Sequence, residues 1–207
     1  MFDPEDTYIY NPNRLYHFTS ADSIISILET MQLRPGVFQK SNDLFEEHPN
    51  VNMGNNVVQQ KELESYINEH VTYLSFAKDS EDAKKCWMTY QRSPMWGLYA
   101  KSNSGACLVL DEERFIQENQ LSFTNVWYNA DYLSYKEVIT QSIENGIIPS
   151  IEEYVKEKYR FLFYQKQLCW DFENEYRFVF IDAPSVLSIK NSIVGVILGH
   201  RFCETKK

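Results

Sequence analysis

The chain has 207 residues, of which 43% are hydrophobic and 24% charged, and its formal net charge is −9. These values are typical of a globular protein. A chain of this length can bury a hydrophobic core in one domain without stabilisation by disulfides or metal ions. The negative charge argues against a protein that binds nucleic acid nonspecifically, because it repels phosphate backbones.

The cysteines and the N-terminal segment bear on metal content and compartment. The four cysteines are widely spaced and contain no C-x-x-C pair, so their spacing predicts neither a zinc site nor a disulfide framework. Residues 1–6 are acidic and lack the apolar run of a signal peptide, and no stretch of the chain reaches membrane-spanning length. We therefore expect a cytoplasmic protein without a metal and without a membrane segment.

The first half of the chain carries alternating strand and helix signals. Residues 14–18 predict a short strand, after which Thr19 or Ser20 caps a helix whose apolar residues fall on one face. The segments that follow are predicted, in order, to be a turn, a polar loop, a helix and a strand: residues 33–36, 41–55, 57–69 and 71–77.

The second half begins with two predicted short helical pieces, at residues 81–91 and 95–100, and two predicted strands, at 105–110 and 122–128. A long helix over 151–167 follows, and then two further strands at 175–181 and 193–198. A capping box at 150–153 opens the long helix, and the apolar run at 193–198 predicts a buried strand. Because the insertions between strands are irregular and no repeat or linker divides the chain, we expect one α+β domain over residues 1–207 built on a mixed sheet.

Residues 15–20 form the first candidate site, a strand that ends in His17-Phe18-Thr19 at the start of a helix. An imidazole, a hydroxyl and unpaired backbone N–H groups come together there, which suits a polar ligand. A histidine at a strand end followed by an ordinary helix cap gives the same pattern without any function. Taken alone, the pattern favours that simpler explanation.

Aromatic residues form the second candidate site. Trp96 and Tyr99 are three positions apart and share a helix face, where they could stack on a flat heterocycle. Aromatics at helical spacing more often pack in a core. We expect Trp96 to belong mainly to the core and Tyr99 to lie nearer the groove.

Alternating charges at Glu173, Glu175 and Arg177 form the third candidate site, because on a strand all three side chains share one face. Such a group commonly forms a ladder of ion pairs. Two carboxylates that line a cleft can instead stabilise a developing cation or act as a base. The pattern leaves both interpretations open.

Three segments, taken in order, resemble a known enzyme family. Residues 15–35 (LYHFTSADSIISILETMQLRP) resemble the first motif of poly(ADP-ribose) polymerases and of DNA-targeting ADP-ribosyltransferase toxins. Residues 174–182 resemble the strand that carries the polymerases' catalytic glutamate, and residues 74–77 lie where those enzymes have a Tyr-Phe-Ala-like strand. The resemblance implies an ADP-ribosyltransferase-like fold, a split sheet with helical insertions.

Short motifs are spread over nearly the whole chain: LYHFTS, SNDLFE, LSFAKD, MWGLYA, and ENEYR before VGVILG. In this order they resemble the recurring motifs of a widespread bacterial family, the domain of unknown function 2971. The sequence departs from the transferases at three points: no glycine precedes Leu33, Ser75 replaces the tyrosine that stacks on nicotinamide, and the chain stops soon after VGVILG, where a further C-terminal element is expected. The stacking role then falls to Tyr73, Trp96 or Tyr99, or is absent.

The transferase resemblance implies that NAD is the substrate and that ADP-ribose passes to an unknown protein or nucleic-acid acceptor, as in a toxin or phage-defence effector. Glu175 would be the catalytic carboxylate and Glu173 its support, while His17 would hold a ribose hydroxyl of the adenosine half. Backbone groups around Phe18 would anchor the nicotinamide amide, and Arg177 would orient the glutamates. The remaining expected NAD contacts are Thr19, Tyr73, Ser75, Trp96 and Tyr99.

Two other functions remain open for the same fold. One is a non-catalytic module that binds a nucleotide or another protein, since fold does not fix function. The other is an NAD hydrolase, in which water takes the place of the acceptor. The transferase interpretation requires the side chains of His17 and Glu175 to face one cavity, with aromatics from residues 73–99 on its wall, and it fails if the two side chains point to opposite faces of the sheet.

Overall fold

The computed structural model describes residues 11–41, 57–80, 88–121, 126–129, 131–133, 150–182 and 185–202. Its helices are α1 (Ala21–Thr30), α2 (Val57–His70), α3 (Ser93–Leu98), α4 (Glu112–Glu118) and α5 (Ile151–Phe163). Its strands are β1 (Arg14–Thr19), β2 (Gln32–Leu33), β3 (Val71–Ala77), β4 (Ala106–Asp111), β5 (Val126–Asn129), β6 (Asp131–Leu133), β7 (Gln165–Gln167), β8 (Glu175–Ile181), β9 (Leu187–Ser188) and β10 (Ile193–Leu198).

The main sheet has six strands in the order β10-β4-β1-β3-β8-β5, and its described pairings are antiparallel. Two small sheets accompany it, an antiparallel pair of β2 with β9 and a parallel pair of β6 with β7. Helices are inserted between the strands rather than alternating with them regularly. The predicted α+β class is confirmed, but the main sheet is antiparallel in its described pairings rather than mixed, and the parallel pairing lies in the small β6-β7 sheet.

The main sheet is partly split between β1 and β3. In the described sheet these strands are paired at one register position, Tyr16 with Ala77. On its other side β1 pairs with β4 along its whole length, from Arg14 to Thr19. Beyond Tyr16 the two strands therefore separate, and the sheet is open at the end of β1 that leads into α1.

One face of the sheet packs on α1 and α4. Alternate residues of β8, Phe178 and Phe180, point to this face and are fully buried there. Phe115 of α4 meets Phe76 and Phe178 edge to face, with ring centroids 5.8 and 5.5 Å apart. This tight aromatic packing fixes β3 and β8 beside each other.

The opposite face carries two separate hydrophobic clusters. One lies over β3 and β8 and is built by α2 and α5, with Leu63 and Phe163 at its centre. The other lies over β1 and β4, where α3 contributes Trp96 against Phe18. The gap between these clusters coincides with the split in the sheet.

Three expectations from the sequence need correction. The strand at residues 193–198 is not buried: β10 pairs with β4 on one side and is an edge of the described sheet, and Leu198 is 55% exposed. The helix expected over 151–167 ends at Phe163, because residues 165–167 pair with β6 instead. The short helix α4 was not predicted, since it starts directly at the end of β4 with Asp111 as its cap.

Other expected elements are present with small shifts in their bounds. Ser20, not Thr19, caps α1, with its hydroxyl accepting from the backbone N–H of Ser23. Residues 42–56, 81–87 and 122–125, which cover most of the expected loop, part of a helical piece and the start of a strand, lie outside the described residues. None of the described helices has the apolar run needed to span a lipid bilayer.

Candidate functional site

A cavity of about 150 Å³ lies where β1 and β3 separate. Tyr16, His17 and Phe18 of β1 and Tyr73 and Ser75 of β3 form part of its wall. The facing wall comes from the segment that follows α5 and from the start of β8, and it consists of Lys166, Trp170, Glu173 and Glu175. The cavity therefore combines aromatic surface with a cluster of charges.

Glu175, the first residue of β8, is held by a guanidinium. Arg177 lies two residues further along the same strand face, and its Nε and Nη2 each donate to a different carboxylate oxygen of Glu175 at 2.8 Å. The guanidinium is itself fixed by Nη1, which donates to the carbonyl of Phe163 at 2.6 Å. The Ser75 hydroxyl donates to Oε1 of Glu175. This forked pairing holds the carboxylate in a single orientation.

Lys166, in β7, is a site residue that the sequence analysis did not identify. Its Nζ lies 2.5 Å from Oε2 of Glu173 and 2.9 Å from Oε2 of Glu175, and the residue is only 6% exposed. The sequence placed it in the last turn of a long helix, where a lysine is ordinarily exposed. Its inward position depends on the early end of α5, for which the chain carries no glycine or proline signal.

The charges of this cluster are balanced, and they shift the pKa values of the two glutamates in opposite directions. Burial by itself would raise the pKa of Glu175, but Arg177 and Lys166, with the Ser75 hydroxyl, lower it to about 2. Burial raises the pKa of Glu173, and the attraction of Lys166 only partly offsets this. Glu175 is therefore ionised at neutral pH, and Glu173 is the carboxyl of the pair that takes up a proton more readily.

The two glutamates are positioned by different elements. Glu173 ends a 3-10 turn at Leu168–Glu173, so it precedes the strand on which the sequence had placed it, whereas Glu175 and Arg177 do share a strand face as predicted. Asn174 between the glutamates is left-handed, with φ of 44°, and its side-chain amide donates to the carbonyl of Lys78 at 2.8 Å. Buried Arg92 donates to the carbonyl of Glu173 at 3.0 Å. These contacts fold both carboxylates toward Lys166.

The expected geometry of His17 and Glu175 is met only in part: both line one cavity, but His17 reaches it through the split in the sheet, from the opposite sheet face. Strand alternation places it with Leu15 on the α1 and α4 face, with its ring edge-on to Phe76, whereas Glu175 and Ser75 belong to the other face. The His17 Nδ1 lies 3.2 Å from the carbonyl oxygen of Ser75, which can only accept, so Nδ1 carries the proton. Burial lowers the pKa of His17 despite that bond. The imidazole is therefore neutral, and its Nε2 is an acceptor.

The aromatic residues divide between the cavity and the core. Tyr99 lines the cavity, and its hydroxyl donates to Oε1 of Glu173. Tyr73 also lines it, but one face of its ring stacks on Phe38 at 4.4 Å. Trp170, which the sequence analysis did not single out, adds a further aromatic surface.

Three of the expected NAD contacts lie outside the described wall of the cavity: Thr19, Trp96 and Arg177. Trp96 packs in the core, where its ring meets Phe18 edge to face at 5.1 Å and its indole N–H donates to the carbonyl of Tyr90 at 2.6 Å. Arg177 acts on the cavity through Glu175 rather than by direct contact. Within the described ranges, no group of three or more His, Cys, Asp or Glu side chains is placed to hold a metal ion.

Comparison with known proteins gives one match. Residues 95–178 match the family model described as "Protein of unknown function (DUF2971)". This segment contains Tyr99, Lys166, Glu173, Glu175 and Arg177, whereas His17 and the β3 residues lie before it. No curated protein and no solved structure matches the chain. The similarity to this family is thus confirmed over the segment that supplies the charged wall of the cavity.

Proposed function

We propose that the cavity binds the nicotinamide-ribose end of NAD and that the protein is an ADP-ribosyltransferase-like enzyme. One observation carries the proposal: the strands that bear the three transferase-like motifs, β1, β3 and β8, are neighbours in the sheet. Where they open, His17 and Glu175 line the same cavity. The shared cavity supports the proposal, whereas strand alternation, which assigns the two side chains to opposite faces of the sheet, counts against it.

The reaction breaks the bond between the nicotinamide nitrogen and C1′ of the ribose. The bonding electron pair leaves with nicotinamide, and an acceptor nucleophile forms the new bond to C1′ and loses its proton to a base or to water. The transition state resembles an oxocarbenium ion, which a fixed carboxylate stabilises more than it stabilises the substrate. Glu175 supplies that carboxylate, and in the complex a ribose hydroxyl would replace the Ser75 hydroxyl as its donor.

His17 and the cavity wall provide the remaining contacts of the proposal. The neutral imidazole of His17 presents an Nε2 that can accept from a ribose hydroxyl of the adenosine half. The volume of about 150 Å³ is below the roughly 300–1,000 Å³ typical of sites for whole drug-sized ligands, so it suits the reacting end of the dinucleotide. Lys40 and Ser41, which also line the cavity, offer a cation and a hydroxyl to the diphosphate.

The test is Glu175→Gln, which keeps the size of the side chain and removes the charge that offsets the oxocarbenium ion. Nicotinamide release should fall on the order of 10²–10³-fold, while NAD affinity changes little, because the lost interaction belongs mainly to the transition state. Removing one partner of a buried ion pair commonly costs about 3–5 kcal/mol of stability. Circular dichroism and thermal melting must therefore show that the variant is folded under the assay conditions.

Glu173→Gln is the matched control, since it removes the neighbouring carboxylate from the same cluster. It should reduce release less than Glu175→Gln does, because Glu173 supports rather than carries the reaction in the proposal. The assay should include protein, nucleic acid and cell extract as acceptors, with water as the default. Equal release by wild type and Glu175→Gln would rule out this mechanism.

A second function, a non-catalytic nucleotide-binding module, is favoured by the pairing of Glu175. Both of its oxygens accept from Arg177, and one also contacts Lys166. A carboxylate neutralised in this way offers less stabilisation to a developing cation than a carboxylate without such partners. This alternative predicts NAD binding without nicotinamide release in every acceptor mixture.

A further inference from the structure

Lys166 occupies an unusual position, because its ammonium contacts two carboxylates at once inside the cavity wall. It approaches Oε2 of Glu173 at 2.5 Å and Oε2 of Glu175 at 2.9 Å, and all three residues are buried. The ring of Trp170 lies on another side, with its centroid 5.3 Å from Nζ. The side chain is thus enclosed by groups that fix where its charge lies.

Two buried carboxylates this close to one cation would repel each other without it. A like charge at short range favours the protonated form of one of the pair, as does burial. Arg177 neutralises Glu175 through its fork, whereas Lys166 touches both carboxylates. The other polar groups that line the cavity are the Tyr99 hydroxyl on Glu173, the neutral ring of His17, the Tyr16 and Tyr73 phenols, the Ser41 and Ser75 hydroxyls, the Trp170 indole and exposed Lys40.

We propose that Lys166 is a positioning residue that holds Glu173 and Glu175 side by side as two charged carboxylates facing the cavity. Its contribution is electrostatic and geometric: one ammonium sets the separation of the two Oε2 atoms and offsets their mutual repulsion. The inference rests on the proposed function only where it concerns nicotinamide release. What Lys166 does to the carboxylates themselves is independent of any substrate.

The test is Lys166→Met, which keeps a long apolar stem and removes the ammonium. Carboxyl ¹³C NMR of glutamate-labelled full-length protein should show the protonation midpoint of Glu173 rising by about 1–3 pH units, the effect of losing an opposite charge at this distance. The acid limb of the pH profile of nicotinamide release should move to higher pH in step, because the ionised pair is then lost at higher pH. If Lys166 contributed only packing, Lys166→Met would move neither the NMR midpoint of Glu173 nor the acid limb of nicotinamide release.

Two control variants isolate the charge. Lys166→Arg keeps a cation and should leave the midpoints nearer to those of wild type. Lys156→Met removes an exposed lysine, paired with Glu152 at 2.5 Å on α5, and should leave the midpoints of the cluster unchanged. Unchanged Glu173 and Glu175 midpoints in Lys166→Met would overturn the inference.

The double variant Lys166→Met/Glu173→Gln covers the case in which Lys166→Met does not fold. It leaves Glu175 paired with Arg177 and removes one charge of each sign, so it should fold. A double variant that also fails to fold would overturn the inference, because Lys166 would then support the structure by other means.

The NMR midpoints test the role of Lys166, and nicotinamide release tests the proposed function, so either can fail without the other. Shifted NMR midpoints in a protein that releases no nicotinamide would support the role of Lys166 and count against the enzyme. Unshifted midpoints in a protein that does release nicotinamide would overturn the role of Lys166 and leave the enzyme standing.

Discussion

Trp96 and Tyr99 lie one helical turn apart but in different surroundings. Trp96 is 8% exposed and packs on Phe18, whereas half-buried Tyr99 lines the cavity and bonds to Glu173. Trp96→Ala should lower the free energy of unfolding by about 3–5 kcal/mol, the usual cost of emptying a core aromatic site. Tyr99→Phe should lower it by about 1.5–3 kcal/mol, the value of one hydrogen bond to a charged group.

Urea denaturation of both variants, with and without NAD, measures this difference. We expect Tyr99→Phe to change the stabilisation that NAD confers and Trp96→Ala to leave that increment close to the wild-type value, provided the variant is folded. The reverse ranking of the two unfolding free energies would show that the ring of Trp96 contributes little to the core.

At the residue scale the sequence could predict part of the site. Strand alternation was enough to place Glu175 and Arg177 on one face, whereas helical spacing gives Trp96 and Tyr99 a shared face and does not by itself separate the core ring from the cavity ring. It could not predict Lys166, because contact with the glutamates depends on where α5 ends and on how residues 165–167 pair with β6. Such long-range pairing leaves no pattern within a short window of sequence.

Gly105, at the entry to β4, shows how closely the elements around the open end of β1 approach each other. A Cβ atom there would lie 2.1 Å from the carbonyl oxygen of Thr19 and 3.0 Å from the Cα of Ala100. Both neighbours are backbone atoms and cannot rotate away. Gly105→Ala should therefore destabilise the protein by at least about 1–3 kcal/mol, the usual cost of an overpacked site.

Gly97, in α3, is the matched control, because among the described residues no atom outside its chain neighbours and its own helix backbone lies within 4 Å of the Cβ that alanine would add. Alanine is the better helix former by roughly 0.5–1 kcal/mol, so Gly97→Ala should be neutral or slightly stabilising. The measurement is the melting temperature of Gly105→Ala and of Gly97→Ala, each compared with that of the wild type. Equal melting temperatures would mean that β1 and β4 can separate more easily than their contacts indicate.

Periodicity identified the main strands and helices but not their arrangement. The strands at 71–77 and 175–181 follow from their residues, whereas their adjacency depends on pairing across about a hundred intervening positions. The edge position of β10 could not be predicted either, because the same apolar residues suit a central strand. An edge strand has a neighbouring strand on one side and a central strand has one on both sides, and the sequence of a single strand does not show which applies.

The folded molecule as a whole should lose stability as the pH falls below the ordinary histidine range, and His17 contributes to this loss. Burial lowers the pKa of His17 from 6.5, so the unfolded chain takes up the proton first. Wherever the unfolded state binds more protons, stability rises with pH and falls as the pH is lowered. The loss through His17 therefore begins below about pH 6.5 and continues toward its lower folded-state pKa.

His17→Gln isolates this contribution, because glutamine does not titrate. Between pH 7 and pH 5 the free energy of unfolding should fall less in the variant than in wild type, as measured by urea denaturation at each pH. The low pKa of Glu175, about 2, adds a separate loss that sets in only as the pH falls below about 4.5 and then toward 2. Identical pH dependence in the two proteins would show that folding does not lower the pKa of His17.

We propose that the cavity between β1 and β3 binds NAD and that Glu175 drives the release of nicotinamide. The most direct measurement is nicotinamide release from NAD by wild type and by folded Glu175→Gln, paired with calorimetric titration of both proteins with NAD. Both proteins should bind NAD, and nicotinamide release should be on the order of 10²–10³-fold slower in the variant. A wild-type protein that neither binds NAD nor releases nicotinamide with any acceptor would contradict it.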